Sequence, residues 1–197
     1  MAITINPISP VAFSVFGLDV RWYALAYVAA FVIGYFMLRH FVRRPDSQIS
    51  LDKRQLDDLL TAIILGVIIG GRLGYVLFYN LPFFMAHPLE IFAVWHGGMS
   101  FHGGLVGVIV AVFWFARNQI KRDQIKGSVY NTAFNILDIL AVIAPVGLFF
   151  GRIANFINME VMGRPTDVPW AVVFSGQTSI PRHPSPLYEA ATEGILL

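Results

Sequence analysis

Four apolar runs of membrane length constrain the fold of this chain more than any other feature. A helix needs about 20 mostly apolar residues to cross the hydrocarbon core of a bilayer. Runs near this length cover residues 22–38, 59–79, 103–116 and 134–150. A further span is expected to start at residue 187. The sequence therefore predicts an all-α fold, a polytopic bundle of transmembrane helices that forms one integral membrane domain over residues 1–197. The third run is short, so a start inside a re-entrant loop stays open.

Composition excludes several classes of protein. The chain is 56% hydrophobic and 13% charged, whereas soluble domains contain about a quarter charged residues. A net charge of +2 is too small to indicate nucleic-acid binding. Because the chain has no cysteine, disulfides, thiolate metal sites and a cysteine nucleophile are excluded. The N-terminus lacks a basic segment followed by a long apolar core, so we expect it to be retained rather than cleaved.

The distribution of lysine and arginine predicts the orientation, since cytoplasmic loops are enriched in both. The loop after the first run contains five of them and the loop after the third run contains four. The opposite face has only Arg21, Arg164 and Arg182. We therefore expect the N-terminus, residues 80–104 and residues 158–186 to lie on the outer face.

A polar segment, "GRIANFINMEVMGR", follows the fourth run. Arg152 and Asn155 are spaced i, i+3 and would share one face of a continuing helix. Glu160 is the expected local counter-charge. One interpretation is a girdle of side chains reaching the interface, but asparagine and glutamate are too short for that. We favour a polar pocket that opens to the outer surface.

The second run contains Arg72, and an arginine at the centre of a spanning helix costs roughly 2.5–3.5 kcal/mol. It is interpreted either as a snorkelling or salt-bridged side chain or as part of a site. Gly66, Gly70 and Gly74 recur every four residues in the same run. They share one helical face, which predicts close packing against another helix.

The segment "HGGMSFHGGLVG" combines histidine with glycine. Glycines such as Gly103 and Gly104 let a backbone approach a bulky ligand, and His102 is a plausible base near neutral pH. Ser100 and His102 invite comparison with a serine protease. Residues two apart point away from each other on a helix or strand, which disfavours that dyad.

Taken together, "RWYALAY", "SFHGGLVG", "GRIANFIN", "GRPTD" and "RHPSPLYEA" resemble, in this order, the bacterial prolipoprotein diacylglyceryl transferases. The resemblance implies transfer of the diacylglyceryl group of phosphatidylglycerol to the lipobox cysteine of a prolipoprotein. A thioether forms and glycerol phosphate leaves. It also implies a multi-pass protein of the cytoplasmic (inner) membrane whose reacting groups face its outer, periplasmic side, with no cofactor and no metal.

The resemblance assigns roles to individual residues. The essential histidine corresponds to His102, and the catalytic set is completed by Arg152 and Tyr23. The residues expected to bind phosphatidylglycerol are Arg152, Asn155, Glu160, Gly163, Gly103, Gly104 and, as a second phosphate contact, Arg72. His102 is expected either to deprotonate the acceptor thiol or to position the lipid. We expect the Arg152 guanidinium and the His102 imidazole to act on the same headgroup.

The chain departs from the family pattern at three places. It has "NMEVMG" where "NGELWG" is expected, and Pro186 within "HPSPLYE" where glutamine is expected. Family members continue through further spans, one of which bears another essential arginine, whereas this chain stops at Leu197. The resemblance therefore implies that C-terminal spans are missing here.

Two other functions stay open from the residues alone. Arg72, Asp138 and Arg152, at different depths, are compatible with a small transporter or channel subunit, although the inner half offers few polar groups. An intramembrane serine protease would use Ser100 and His102.

Overall fold

The computed structural model describes residues 2–122 and 124–197. Helices dominate this part of the chain, and the strands are short. The elements, in chain order, are β1 (Ile3–Ile5), β2 (Val11–Val15), β3 (Leu18–Arg21), α1 (Trp22–Val42), α2 (Lys53–Phe78), α3 (Leu81–Ala86), two 3-10 turns (Pro88–Phe92 and Val94–His96), α4 (Phe101–Lys121), α5 (Val129–Ile157), β4 (Val172–Phe174) and α6 (Ser185–Gly194).

Four of these helices, α1, α2, α4 and α5, are long and apolar enough to cross a membrane. The predicted class, a helical polytopic membrane protein, is confirmed. Each predicted apolar run lies almost entirely within a longer helix, because polar residues extend the helices beyond the apolar stretch. The short third run is part of α4, which has 21 residues and begins at Phe101.

The chain divides into two compact units, one formed by Met1–Leu38 with Leu140–Leu197 and the other by Arg39–Ile139. The second unit is built on the pairing of α2 with α4. Its interior includes the fully buried side chains of Leu56, Leu59, Val112 and Phe115.

Glycine sets the separation of α2 and α4. A Cβ atom added to Gly66 would lie 2.6 Å from the carbonyl oxygen of Gly107, and one added to Gly74 would lie 2.7 Å from Gly103 Cα. The backbones are therefore in direct contact, as small residues allow in membrane helices. The predicted packing face of Gly66, Gly70 and Gly74 is confirmed.

The first unit contains the strands that the all-α prediction did not include. β1 pairs with β4 in parallel, and β2 and β3 form a hairpin. The hairpin turns at Phe16 (φ 51°) and Gly17 (φ 81°), which is the double positive φ of a tight two-residue turn. Met159, Val172 and Phe174 form a small buried core beside the end of α5.

Candidate active site

The polar segment at the end of α5 forms a hydrogen-bonded cluster. Asn155 Nδ2 donates to the Tyr23 hydroxyl at 2.6 Å and to Glu160 Oε2 at 3.0 Å. Asn155 is buried, with 8% of its surface exposed. Because the tyrosine oxygen accepts this bond, its own proton stays directed elsewhere and can serve an acceptor such as a phosphate oxygen.

A Schellman-type turn at the end of α5 explains why Glu160 returns to Asn155. The Met159 amide donates to the Phe156 carbonyl at 3.1 Å, and the Glu160 amide donates to the Asn155 carbonyl at 2.8 Å. This pair of bonds, with a left-handed residue at the first position after the cap, is the usual way a helix satisfies its last carbonyls. The helix end therefore places the Glu160 carboxylate beside the Asn155 amide.

Two non-glycine residues, one on each side of Glu160, have a left-handed backbone conformation. Met159 has φ 56° and Val161 has φ 55°. A β-branched residue in this region is a conformational outlier. Such strain persists only where surrounding contacts over-determine the backbone, and it concentrates at functional sites. Burial of Met159 in the small core supplies one of these contacts.

Arg152 pairs with two carboxylates of α6. Its Nε atom lies 2.9 Å from Glu189 Oε2, and its Nη2 atom lies 3.3 Å from Glu193 Oε2. The expectation that Glu160 is the counter-charge of Arg152 is therefore wrong: Glu160 binds Asn155 instead. Neither Glu189 nor Glu193 was predicted from the sequence to pair with Arg152, although their i, i+4 spacing puts both on one face of a helix.

Close backbone contact brings these carboxylates to Arg152. A Cβ atom added to Gly194 would lie 2.6 Å from Phe149 Cβ and 2.9 Å from Phe149 Cα. Only glycine allows α6 to approach α5 this closely. Since Phe149 precedes Arg152 by three residues, nearly one helical turn, the contact holds Glu193 next to the guanidinium.

Gly163 is also a packing glycine. A Cβ atom there would lie 2.5 Å from the His183 carbonyl oxygen and 3.0 Å from His183 Cβ. Its own carbonyl accepts a hydrogen bond of 2.9 Å from Arg182 Nη1. The space expected to admit lipid beside Gly163 is thus filled by residues 183–185, which supports a role in shaping the loop rather than direct lipid contact.

Arg72, in the second unit, is buried with 4% of its surface exposed. Its Nε atom donates to the Ile91 carbonyl at 2.9 Å, and its guanidinium lies 4.9 Å from the centre of the Phe84 ring. The remaining guanidinium nitrogens donate to the carbonyls of Glu90, Ala93, Gly97 and Gly98. All five N–H donors of an arginine can be used in this way. The expected phosphate contact is not supported, because the donors already hold residues 90–98.

The residues at the start of α4 have different surroundings. His102 is exposed in the first turn, and its ring meets the Phe101 ring edge-on at 5.7 Å. A Cβ atom on Gly103 would lie 2.9 Å from Gly74 Cα, whereas one on Gly104 would find its nearest neighbour, the Val67 carbonyl oxygen, at 3.7 Å. Both glycines therefore face α2, and the lipid contact expected of them is not supported.

Ser100 is the N-cap of α4. Its Oγ atom accepts a hydrogen bond from the Gly103 amide at 3.2 Å, and the residue is 6% exposed. Serine is among the preferred residues at this position. The cap accounts for Ser100 without a nucleophilic role, and it argues against the protease alternative.

Arg152 and His102 belong to different units, so their joint action on one headgroup stays a prediction.

The family relationship rests on sequence. A family model described as prolipoprotein diacylglyceryl transferase matches residues 10–197. The chain belongs to this family.

Relatives named phosphatidylglycerol–prolipoprotein diacylglyceryl transferase are about half identical to this member of the family. One from Methylocella silvestris is 53% identical over 96% of this chain and 67% of its own length. One from Vibrio cholerae is 49% identical over 96% and 66%, and one from Geobacter sulfurreducens is 48% identical over 96% and 68%. The chain thus spans about two thirds of the length of these diacylglyceryl transferases. Family membership and four apolar helices together indicate a multi-pass membrane protein.

Proposed function

We propose that this protein transfers the diacylglyceryl group of phosphatidylglycerol to the lipobox cysteine of a prolipoprotein. The thiolate sulfur attacks the glycerol carbon that bears the phosphate, a thioether forms, and glycerol phosphate leaves with the electrons of the broken C–O bond. The observation that carries the proposal is the set of polar side chains at the end of α5, Arg152, Asn155 and Glu160, together with Tyr23 of α1, which accepts a hydrogen bond from Asn155. The proposed substrates and the transferred group are those in the names of the relatives.

The cluster offers the groups that an anionic lipid headgroup requires. The end of the Arg152 guanidinium opposite Nε forms a planar fork that matches phosphate oxygens. The free proton of the Tyr23 hydroxyl can stabilise charge on the same phosphate. Donors directed at developing charge are worth about 3–4 kcal/mol each in a site of this kind. Asn155 and Glu160 fix the tyrosine and are candidates for the glycerol hydroxyls.

The acceptor thiol needs a base. A free thiol has a pKa near 8.5, so only a few per cent is ionised at neutral pH. His102, exposed in the first turn of α4, is the proposed general base, a role that typically contributes about 10²–10⁴ in rate. It takes the thiol proton as the sulfur attacks and later releases it to solvent.

Location follows from the same proposal. We place the reaction at the outer side of the bacterial inner membrane, with the N-terminus on that side, because the basic residues gather in the opposite loops. Phosphatidylglycerol in the bilayer and a prolipoprotein signal peptide are the two partners.

Mass spectrometry of the acceptor tests the reaction. The purified protein is incubated with phosphatidylglycerol labelled in its acyl chains and a synthetic lipobox peptide. The expected product is the peptide with one added diacylglyceryl group, formed together with glycerol phosphate. A peptide with serine in place of cysteine is the control and should stay unmodified. Absence of the thioether product, or equal modification of the serine peptide, would contradict the proposal.

A further inference from the structure

Arg152 carries one positive charge and is paired with two carboxylates. Glu189 and Glu193 both contact the guanidinium, so the trio has one excess negative charge when both carboxylates are ionised. The phosphodiester of an anionic lipid would bring a third anion to the same cation. Like charges a few ångströms apart in a partly buried site repel strongly. One carboxylate must therefore give way when phosphate binds.

The two carboxylates are not held equally. Glu189 Oε2 lies 2.9 Å from Arg152 Nε, and 30% of the glutamate side chain is exposed. Glu193 Oε2 lies 3.4 Å from Nε and 3.3 Å from Nη2, and 37% of its side chain is exposed. Both Glu193 hydrogen bonds are longer than the roughly 2.7–2.9 Å that is usual for charge-assisted bonds, and one of them occupies Nη2, at the end of the guanidinium that a phosphate would approach. The closest contact of Glu189 is with Nε, as an ion pair. Glu193 is therefore the carboxylate that competes with an incoming phosphate.

Close packing holds the backbone of α6 beside Arg152. A Cβ atom added to Gly194 would lie 2.9 Å from Phe149 Cα. Release of Arg152 therefore requires only a side-chain rotation of Glu193.

We propose that Glu193 is an exchangeable internal anion, which occupies Arg152 in the lipid-free protein and is displaced by the phosphate of the incoming lipid. Glu189 stays in place and orients the guanidinium. A phosphate oxygen replaces the Glu193 oxygen as the acceptor of the Nη2 hydrogen bond. This inference rests on the proposed binding of phosphatidylglycerol by Arg152 but not on the transfer step.

Lipid binding by the Glu193→Gln variant tests the exchange. Affinity for fluorescent phosphatidylglycerol is measured in detergent micelles without peptide. Removing the competing charge should tighten binding about two- to fivefold, the range expected from the strength of a partly exposed ion pair. Asp167→Asn, a change of an exposed carboxylate in the same unit, is the matched control and should leave affinity unchanged. Diacylglycerol, which lacks phosphate, should bind the variant and the unmodified protein equally.

Two further variants separate exchange from a merely structural role. Glu189→Gln should bring no tightening and should lower kcat in the transfer assay, because Arg152 loses its orientation. In an Arg152→Gln background, Glu193→Gln should have no effect on lipid affinity, since the cation for which both anions compete is gone. Unchanged or weaker binding by Glu193→Gln, or equal tightening by both glutamate variants, would overturn the inference. If Glu193→Gln binds lipid more tightly but the unmodified protein transfers no diacylglyceryl group, the exchange at Glu193 is supported and the proposed transferase function is contradicted.

Discussion

Asn155 and Glu160 are joined twice, through backbone and through side chains. The Glu160 amide donates to the Asn155 carbonyl at 2.8 Å, and Asn155 Nδ2 donates to Glu160 Oε2 at 3.0 Å. The turn that ends α5 is thus also the framework of the polar cluster. A change in either side chain should therefore alter both the turn and the position of Tyr23, because Asn155 Nδ2 also donates to the Tyr23 hydroxyl.

Asn155→Asp should abolish most of the transfer activity. The substitution replaces the amide donor by a carboxylate that faces Glu160 and cannot donate to Tyr23. We expect a fall in kcat of about 100-fold or more, as for the loss of a donor in other sites that stabilise an anion. The measurement is the rate of peptide lipidation. Asn131→Asp, at an exposed position in the first turn of α5, should retain activity; equal losses in both variants would refute the role of Asn155.

Gly107→Ala should destabilise the protein, whereas Gly104→Ala should be tolerated. A Cβ atom on Gly107 would lie 2.8 Å from the Gly66 carbonyl carbon and 3.0 Å from Gly70 Cα, but one on Gly104 has 3.7 Å to its nearest neighbour. Backbone atoms cannot yield as side chains do, so α2 and α4 would have to separate, at a cost of about 1–3 kcal/mol. Thermal unfolding in detergent should show a lower midpoint for Gly107→Ala alone. Equal midpoints would mean that the close contact is not required.

The sequence predicts the membrane helices well because hydropathy is a local property. It predicts their ends less well, since α2 starts at Lys53 and α4 continues to Lys121, where polar residues carry the helix beyond the apolar run. The strands β1 and β4 were missed because they pair across more than 160 residues. No local pattern reveals such a partner.

The polar segment of the site was predicted, but several contacts within it were not. The carboxylates that pair with Arg152 lie on another helix, so the nearer Glu160 was an obvious but wrong choice. Gly103 was interpreted as a point of close ligand approach, and the resemblance assigned Gly163 to lipid binding. In the structure, the backbone of α2 lies against Gly103, and His183 and Ser185 lie against Gly163.

Arg72→Lys should lower stability without weakening lipid binding. Lysine has three donors in place of five, so carbonyls in residues 90–98 lose their partners, at about 1–3 kcal/mol for each one left unsatisfied. We expect a lower thermal midpoint and a KM for phosphatidylglycerol within about twofold of the unmodified protein, a change smaller than that expected from losing one hydrogen bond to a charged group. Arg117→Lys, on an exposed part of α4, is the control for the substitution. A large rise in KM with unchanged stability would restore Arg72 as a phosphate contact.

Ser100→Ala and His102→Gln should have opposite profiles. Loss of the Ser100 cap should cost about 1 kcal/mol of stability and leave the transfer rate nearly unchanged. His102→Gln should leave stability unchanged and reduce the rate about 10²–10⁴-fold. Raising the pH should partly restore the rate of His102→Gln, because more of the acceptor thiol ionises without a base. Complete loss of activity in a stably folded Ser100→Ala variant would instead favour a nucleophilic role for Ser100, as in the serine protease alternative.

Phosphate binding by Arg152 is tested by the catalytic efficiency of Arg152→Gln with phosphatidylglycerol at saturating lipobox peptide. If Arg152 binds the lipid phosphate, kcat/KM should fall by about 100-fold or more, while Arg164→Gln, an exposed arginine in the same segment, should stay near the unmodified value. A kcat/KM for Arg152→Gln equal to that of the unmodified protein would contradict binding of the lipid phosphate by Arg152.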